Sequence, residues 1–311
     1  MSQIKLRPLT APVAPEFSAM TFSAYRHLLN LERTSRHPVE GDRKQIDPWA
    51  LGAWLRDEPA GLLLAELPVE DAERADLLSI FVTPSHRRRG IAEALIQETE
   101  KRLRRRSRRH LCAVYTTGKP GVAYLERLVA RRGWEPPRGR TLSVRFTPES
   151  AFASDLLTER RLRVQQRGLE IVPWSEITPE DIDAIRRSDE ESSWIAPMLA
   201  PWRFDRHGFD PSSVAARYRG QIVGWVITHR ISLDEVRFTC SFMRKDLSRR
   251  GRILPLYSAV LESLKTTPCR YCTFITPFSY PEMVRFIRQR LAPISEFIGE
   301  TREVRVDLTT P

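Results

Sequence analysis

The chain has 311 residues, 41% of them hydrophobic, enough for two packed domains of about 150 residues each. No stretch approaches the roughly 18 consecutive apolar residues of a membrane span, and the opening MSQIKLRPLTAP lacks the apolar core of a secretory signal, so a cytoplasmic protein is expected. Four cysteines fit a reducing compartment, and a net charge of +11 draws in polyanions: nucleic acid, anionic lipid, phosphate-bearing cofactors or acidic proteins.

In chain order, residues 4–9 (IKLRPL) read as a strand, followed by one or two helices. Residues 50–56 and 61–67 are expected to be strands joined by a turn, and 77–82 a third, apolar strand. The stretch FVTPSHRRRGIA (81–92) stops that strand at Pro84 and passes three arginines and a glycine. It then opens an amphipathic helix over 91–104, whose apolar side carries Ile91, Ala94, Leu95 and Leu103. A strand at 111–116, a helix at 123–131 and a last strand through VRF (144–146) complete the unit. The segment 151–168, AFASDLLTERRLRVQQRG, has helical composition with charge on most sides and is expected to be a linker helix.

The same order recurs downstream: strands at 169–173, 216–219, 222–231 and 236–243, a helix at 253–265, a strand at 271–275, a helix at 282–290 and a last strand. Four local matches carry the repeat. IKLRPL matches LEIVPW, with Pro8 and Pro173 165 residues apart, and LRDEPAGLLLAE matches YRGQIVGWVITH, with Gly61 and Gly224 163 apart. RRRGIA matches SRRGRI, with Gly90 and Gly251 161 apart, and VRF matches VRV, with Val144 and Val304 160 apart. Matches in one order with slowly drifting offsets indicate a duplicated domain, 1–150 and 169–311. The α/β order predicts, in each copy, a central mixed and mostly antiparallel sheet flanked by helices.

The basic turn suggests a phosphate site. About four backbone N–H groups at a helix start lack partners, and the helix dipole adds partial positive charge. A glycine lets the backbone approach a ligand closely, and arginines add charge-assisted bonds. Arg87-Arg88-Arg89-Gly90-Ile91-Ala92 resembles the motif of the GNAT superfamily of acyl-CoA-dependent N-acyltransferases: arginine or glutamine, two residues, glycine, one residue, then glycine or alanine. Arg132-Gly133-Trp134 resembles that family's glycine-aromatic ending of the following helix. The resemblance covers residues 1–148 and, more faintly, 169–308, so the chain is similar to a tandem GNAT protein.

The resemblance implies an acyl-CoA co-substrate, acetyl or longer, and an amine acceptor. The diphosphate would lie on the N–H groups of Arg88 to Ala92, with the pantetheine arm along Ile80-Phe81-Val82. A backbone N–H near Phe81 or Val82 would hold the thioester oxygen as it gains charge. The acceptor would be a small amine, an antibiotic, or a lysine or ornithine side chain of a peptide. Many members place a tyrosine acid four residues before the helix-ending glycine. Here Val129 stands there, which leaves Tyr124 and Tyr115 as candidate acids, with Asp76 and Glu66 as candidate bases.

In the second copy, Ser248-Arg249-Arg250-Gly251-Arg252-Ile253 lacks the motif's first residue and its small last residue. That copy is expected to bind acyl-CoA poorly or not at all, and to shape the acceptor site or hold the sheet of the first copy; Asp189, Glu190 and Glu191 read either as a helix-end cluster or as carboxylates that would receive an amine. The run KRLRRRSRRH (101–110) reads either as a solvated helix end or as a dock for an acidic partner, such as an acidic peptide or an acyl carrier protein. It has no interleaved aromatics for base stacking, which disfavours nucleic acid. Cys269 and Cys272 have metal-ligand spacing but no second pair, so no metal site is expected. The rival class is a non-catalytic acyl-CoA or peptide-binding module that kept the fold.

Overall fold

The computed structural model describes residues 4–36, 44–204, 208–248 and 251–309. Arg249 and Arg250 of the second basic turn lie outside them. The chain forms two compact units, one made of residues 1–140 with 301–311 and the other of residues 141–300.

The first part of the chain supplies β1 (Ile4–Pro8), α1 (Pro15–Ser18), β2 (Thr34–Arg36), β3 (Lys44–Leu55), β4 (Glu58–Pro68), β5 (Arg74–Val82), α2 (Ile91–Arg105), β6 (His110–Thr116) and α3 (Val122–Arg131). There follow β7 (Arg138–Phe146), α4 (Pro148–Phe152), α5 (Glu159–Gln165), β8 (Leu169–Pro173), α6 (Pro179–Ser192), β9 (Val214–Tyr218), β10 (Gln221–Ser232) and β11 (Glu235–Met243). The chain closes with α7 (Lys245–Ser248), α8 (Leu254–Leu264), β12 (Tyr271–Pro277), α9 (Pro281–Phe286) and β13 (Phe297–Asp307).

Unit 1 has the sheet order β1-β3-β4-β5-β6-β13, with β2 also on β3. All of its pairs are antiparallel except β5–β6. The β3–β4 turn runs through Arg56 (φ 51°) and Asp57 (φ 66°), whose left-handed backbone suits the twist of a two-residue hairpin. α2 and α3 cover one face of this sheet. Ile91, Leu95, Ile96 and Leu103 of α2 are fully buried, each contributing about 1.5–3 kcal/mol by leaving water. The other face carries Phe17, Met20, Leu28 and Leu29 of the N-terminal segment against Leu62 and Leu64.

Unit 2 repeats the plan with order β7-β12-β11-β10-β9-β8, its one parallel pair being β11–β12. The repeat is legible bond by bond. Arg109 and His110 N–H both reach Glu73 O, as Arg270 and Tyr271 N–H both reach Asp234 O. Thr83 N–H bonds Ala60 O, as Arg244 N–H bonds Val223 O. A Cβ on Gly61 would lie 2.9 Å from Phe81 O, and one on Gly224 2.8 Å from Phe242 O, so neither position admits a side chain.

The expected boundaries, 1–150 and 169–311, differ from these units because each copy gives up its last strand. Residues 301–307 of β13 pair with β6 in unit 1, and residues 141–146 of β7 pair with β12 in unit 2. The VRF and VRV strands have matching patterns, so the sequence repeat is indifferent to which sheet each completes. The expected linker also differs: α4 and α5 do form there, but Ala151, Leu156 and Leu157 are buried in the core of unit 2. Among the described residues, no helix is long and apolar enough to cross a membrane.

Candidate active site

In unit 1 the parallel pairing of β5 with β6 ends at Leu77↔Ala113, although β5 runs on to Val82 and β6 to Thr116. Beyond that point β6 is held by β13 on its far side, Thr116 opposite Thr301. The two strands therefore part, and residues 78–82 of β5 present an open edge. A bulge sits at the start of this edge: Leu64 pairs with Ser79 but Ala65 with Leu77, leaving Leu78 as the extra residue. Bulges bend a strand and increase its twist, which suits a divergence at this place.

The direction of the main chain on this edge follows from two bonds. Thr83 N–H points to β4, reaching Ala60 O at 3.0 Å, while Val82 O accepts from Arg87 Nε at 3.2 Å. With the period-two alternation of a strand, the N–H groups of Val82 and Ile80 face the open side and that of Phe81 faces β4. Of the two expected oxyanion donors, Val82 is the one so oriented.

Past Val82 the chain makes a single turn, Pro84–His86, with the His86 Nδ1 2.8 Å from Thr83 Oγ1. Arg88 (φ 60°) and Gly90 (φ 78°) then adopt left-handed backbone, and α2 begins with no side-chain cap on its first turn. A Cβ on Gly90 would meet nothing within 4 Å. Arg87, Arg88, Arg89 and Gly90 are exposed, Ala92 is half-buried, and Ile91 anchors the turn in the core. Uncapped amides, an open glycine and exposed guanidiniums fit an anionic diphosphate.

Tyr124 is 69% exposed on the first turn of α3, with Arg127 4.7 Å from its ring centroid. Tyr115, two residues past the divergence on β6, is partly buried and donates to Glu126 Oε1 at 2.7 Å, with Arg302 Nη1 3.2 Å from the same oxygen. Burial, and then the Glu126 carboxylate, raise its phenol well above the usual 10, so the neutral hydroxyl is strongly favoured. Val129, at the position of the family's acid, is buried in the core.

Asp76 lies one residue before the last β5–β6 pair, opposite Glu66, and is bound by Arg74 at 2.8–3.1 Å. Glu66 is buried. Asp189, Glu190 and Glu191 are not brought together. The Asp189 carboxylate accepts from Ile195 N–H at 2.8 Å at the end of α6, while its two neighbours are exposed. Successive helical residues do not share a face.

Several residues escaped the sequence reading. Glu100, buried on α2, accepts from Arg132 Nη2 at 2.6 Å and Trp134 Nε1 at 2.8 Å, which gives the Arg132-Gly133-Trp134 ending a structural purpose. Arg108, in the basic run, clasps the carbonyls of Pro68, Asp71 and Arg74. Arg104 bonds Leu308 O, Arg102 bonds Glu98 and Arg109 pairs with Glu73, so much of that run holds the fold. Among the described residues, no group of three His, Cys, Asp or Glu side chains is arranged to hold a metal, and Cys269 and Cys272 are free thiols.

In unit 2 Gly251 has the same left-handed backbone, φ 75°, but it is closed over by its own chain. A Cβ there would lie 3.0 Å from Gln165 Nε2. Arg252 is tied to the carbonyls of Gln165 and Arg167, and Pro255, in the first turn of α8, has no N–H to offer.

Residues 22–129 match the family model described as acetyltransferase (GNAT) family. No curated protein matches the chain. Among solved structures, a tandem GNAT protein from the clavulanic acid biosynthesis pathway aligns over 98% of this chain and 99% of its own, with TM-score 0.58 at 14% identity. A GCN5-related glucosamine N-acetyltransferase region of a fungal multi-domain GH3 beta-N-acetylglucosaminidase aligns over 98% of this chain and 38% of its own, with TM-score 0.57 at 10% identity. A GCN5-related N-acetyltransferase from Sphaerobacter thermophilus aligns over 83% and 80%, with TM-score 0.52 at 15% identity. The family match thus covers residues 22–129, and the chain as a whole shares the fold of a tandem GNAT protein.

Proposed function

We propose that the chain is an N-acyltransferase whose unit 1 takes an acyl group from acyl-CoA and delivers it to a primary amine. The observation that carries this reading is the open edge of β5 leading straight into an uncapped helix start, where Gly90 leaves space for a ligand. The amides from Arg88 to Ala92 bind the diphosphate, and the exposed arginines add charge-assisted bonds. The edge of Ile80 and Val82 accepts the pantetheine amides as an added strand would.

With the thioester held there, the Val82 N–H donates to its oxygen as negative charge develops. The amine nitrogen bonds to the carbonyl carbon, the carbon–sulfur bond breaks, and the sulfur leaves with the electron pair. Tyr115 is the proton donor proposed for that sulfur because it lies past the divergence on β6, and giving up its proton there requires its hydroxyl to turn from the Glu126 carboxylate to which it donates. Its contribution is modest, since a thiol of pKa near 8.5 leaves tolerably as thiolate. Asp76, at the foot of the divergence, is the base proposed for the incoming ammonium. Unit 2, whose turn is closed by Gln165, is assigned no part in holding the acyl-CoA. The test is release of free coenzyme A from acetyl-CoA and longer acyl-CoAs in the presence of a panel of amines. Amine-dependent release that Gly90→Glu removes supports the reading, and a panel with none contradicts it.

A further inference from the structure

Unit 2 contains a cavity of about 510 Å3 lined by Arg160, Arg161, Val164, Gln165, Arg167 and Arg252. This volume lies within the roughly 300–1,000 Å3 typical of small-molecule sites. No lining residue is acidic, and Glu159, the one carboxylate of α5, pairs with Arg163. Two of the four guanidiniums are fixed by main chain: Arg161 Nη1 donates to Asp155 O at 2.8 Å and Arg252 Nε to Gln165 O at 3.2 Å. Arg252 also sits 5.6 Å from the Tyr218 ring centroid. A guanidinium has five N–H donors, so both retain donors for a ligand. Arg160 and Arg167 are exposed at the same hollow.

Four like charges around one cavity repel each other, and a multiply charged anion reverses the sign of that interaction. The planar fork of arginine matches the spacing of phosphate oxygens. Val164, 60% exposed, supplies an apolar wall for the organic part of such a ligand. We infer that this cavity binds a small diphosphate-bearing metabolite, at a place where unit 2 has closed its own helix-start cradle. The inference is independent of acyl transfer in unit 1.

The test titrates the full chain carrying Gly90→Glu, which takes the unit 1 cradle out of play, with inorganic pyrophosphate and with ADP, followed by calorimetry. One binding event is expected, weakening with added salt and falling at least about tenfold, or 1.4 kcal/mol, in the Arg160→Ala/Arg167→Ala variant. An unchanged melting temperature in that variant keeps the loss local. The same arginine pair changed in the otherwise native chain repeats the subtraction without the glycine change. Three results would overturn the inference: neither anion binds, binding survives loss of both arginines, or single-stranded RNA binds there and pyrophosphate does not displace it.

Discussion

Gly90 and Gly251 hold matching places in the repeat with nearly the same φ, 78° and 75°, yet one is open and the other is filled. In both units a strand parts from its parallel neighbour after four residue pairs, and a glycine turn starts a helix. What differs is the chain brought against the turn. Unit 2 carries α4 and α5, and Gln165 from that segment rests on Gly251 while Arg252 holds it there. A repeated glycine turn therefore does not by itself repeat an open one. Side chains contributed from elsewhere in the unit decide whether the amides are free.

The largest expected effect separates the two turns directly. Gly90→Glu places a carboxylate where a diphosphate is proposed to lie and is expected to abolish turnover, whereas Gly251→Glu leaves acyl-CoA affinity unchanged. Steady-state rates and titrations of both variants check this, and the reverse pattern would exchange the roles assigned to the units.

The helix after each turn offers the next contrast. Unit 1 buries Glu100 with Arg132 and Trp134, while Leu261, 161 residues later, is simply buried in the core of unit 2. Glu100→Ala strands a guanidinium and an indole N–H and is expected to cost about 3–5 kcal/mol in denaturant unfolding. Leu261→Ala acts by a different route, through a cavity, at about 2–5 kcal/mol.

A smaller effect is expected at the proposed acid. Tyr115→Phe lowers the acyl-transfer rate about tenfold, and Tyr124→Phe leaves it unchanged. Equal loss in both would return the role to α3.

The smallest effect lies in unit 2, where Arg217 binds Asp181 at 2.7 Å and holds its carboxyl below the usual 3.8. Because the folded value is lowered, the stabilisation is complete above the unfolded value of 3.8 and is withdrawn as pH falls from there through the folded one. Asp181→Asn is expected to cost about 1.5 kcal/mol at pH 7, with a smaller difference between variant and native chain at pH 2. Urea titrations at the two pH values measure this.

Much of this contrast could be read from the sequence. The order of strands and helices, the duplication and the Gly90 turn all followed from periodicity and from one motif, because a helix start with a free glycine is a local property. The closing of the second turn was legible only in its weakened motif. Gln165 and Gly251 are 86 positions apart, and nothing in either stretch marks them as neighbours. The strand exchange was hidden for a related reason, since VRF and VRV satisfy either sheet. The basic run 101–110 suggested a docking surface, but Arg108 spends its guanidinium on three carbonyls, a use that composition cannot distinguish from solvation. Nothing in the sequence separates Tyr115 from Tyr124, because the difference between them depends on where β5 and β6 part.

Calorimetric titration of the native chain, Gly90→Glu and Arg160→Ala/Arg167→Ala with acetyl-CoA tests the account at its centre. The tight thioester site of the native chain is expected to be retained when the two arginines are changed and lost with the glycine, which leaves only the weaker diphosphate hollow of unit 2. Undiminished binding in Gly90→Glu would contradict the account, because the thioester would then be held by something other than the amides that open α2.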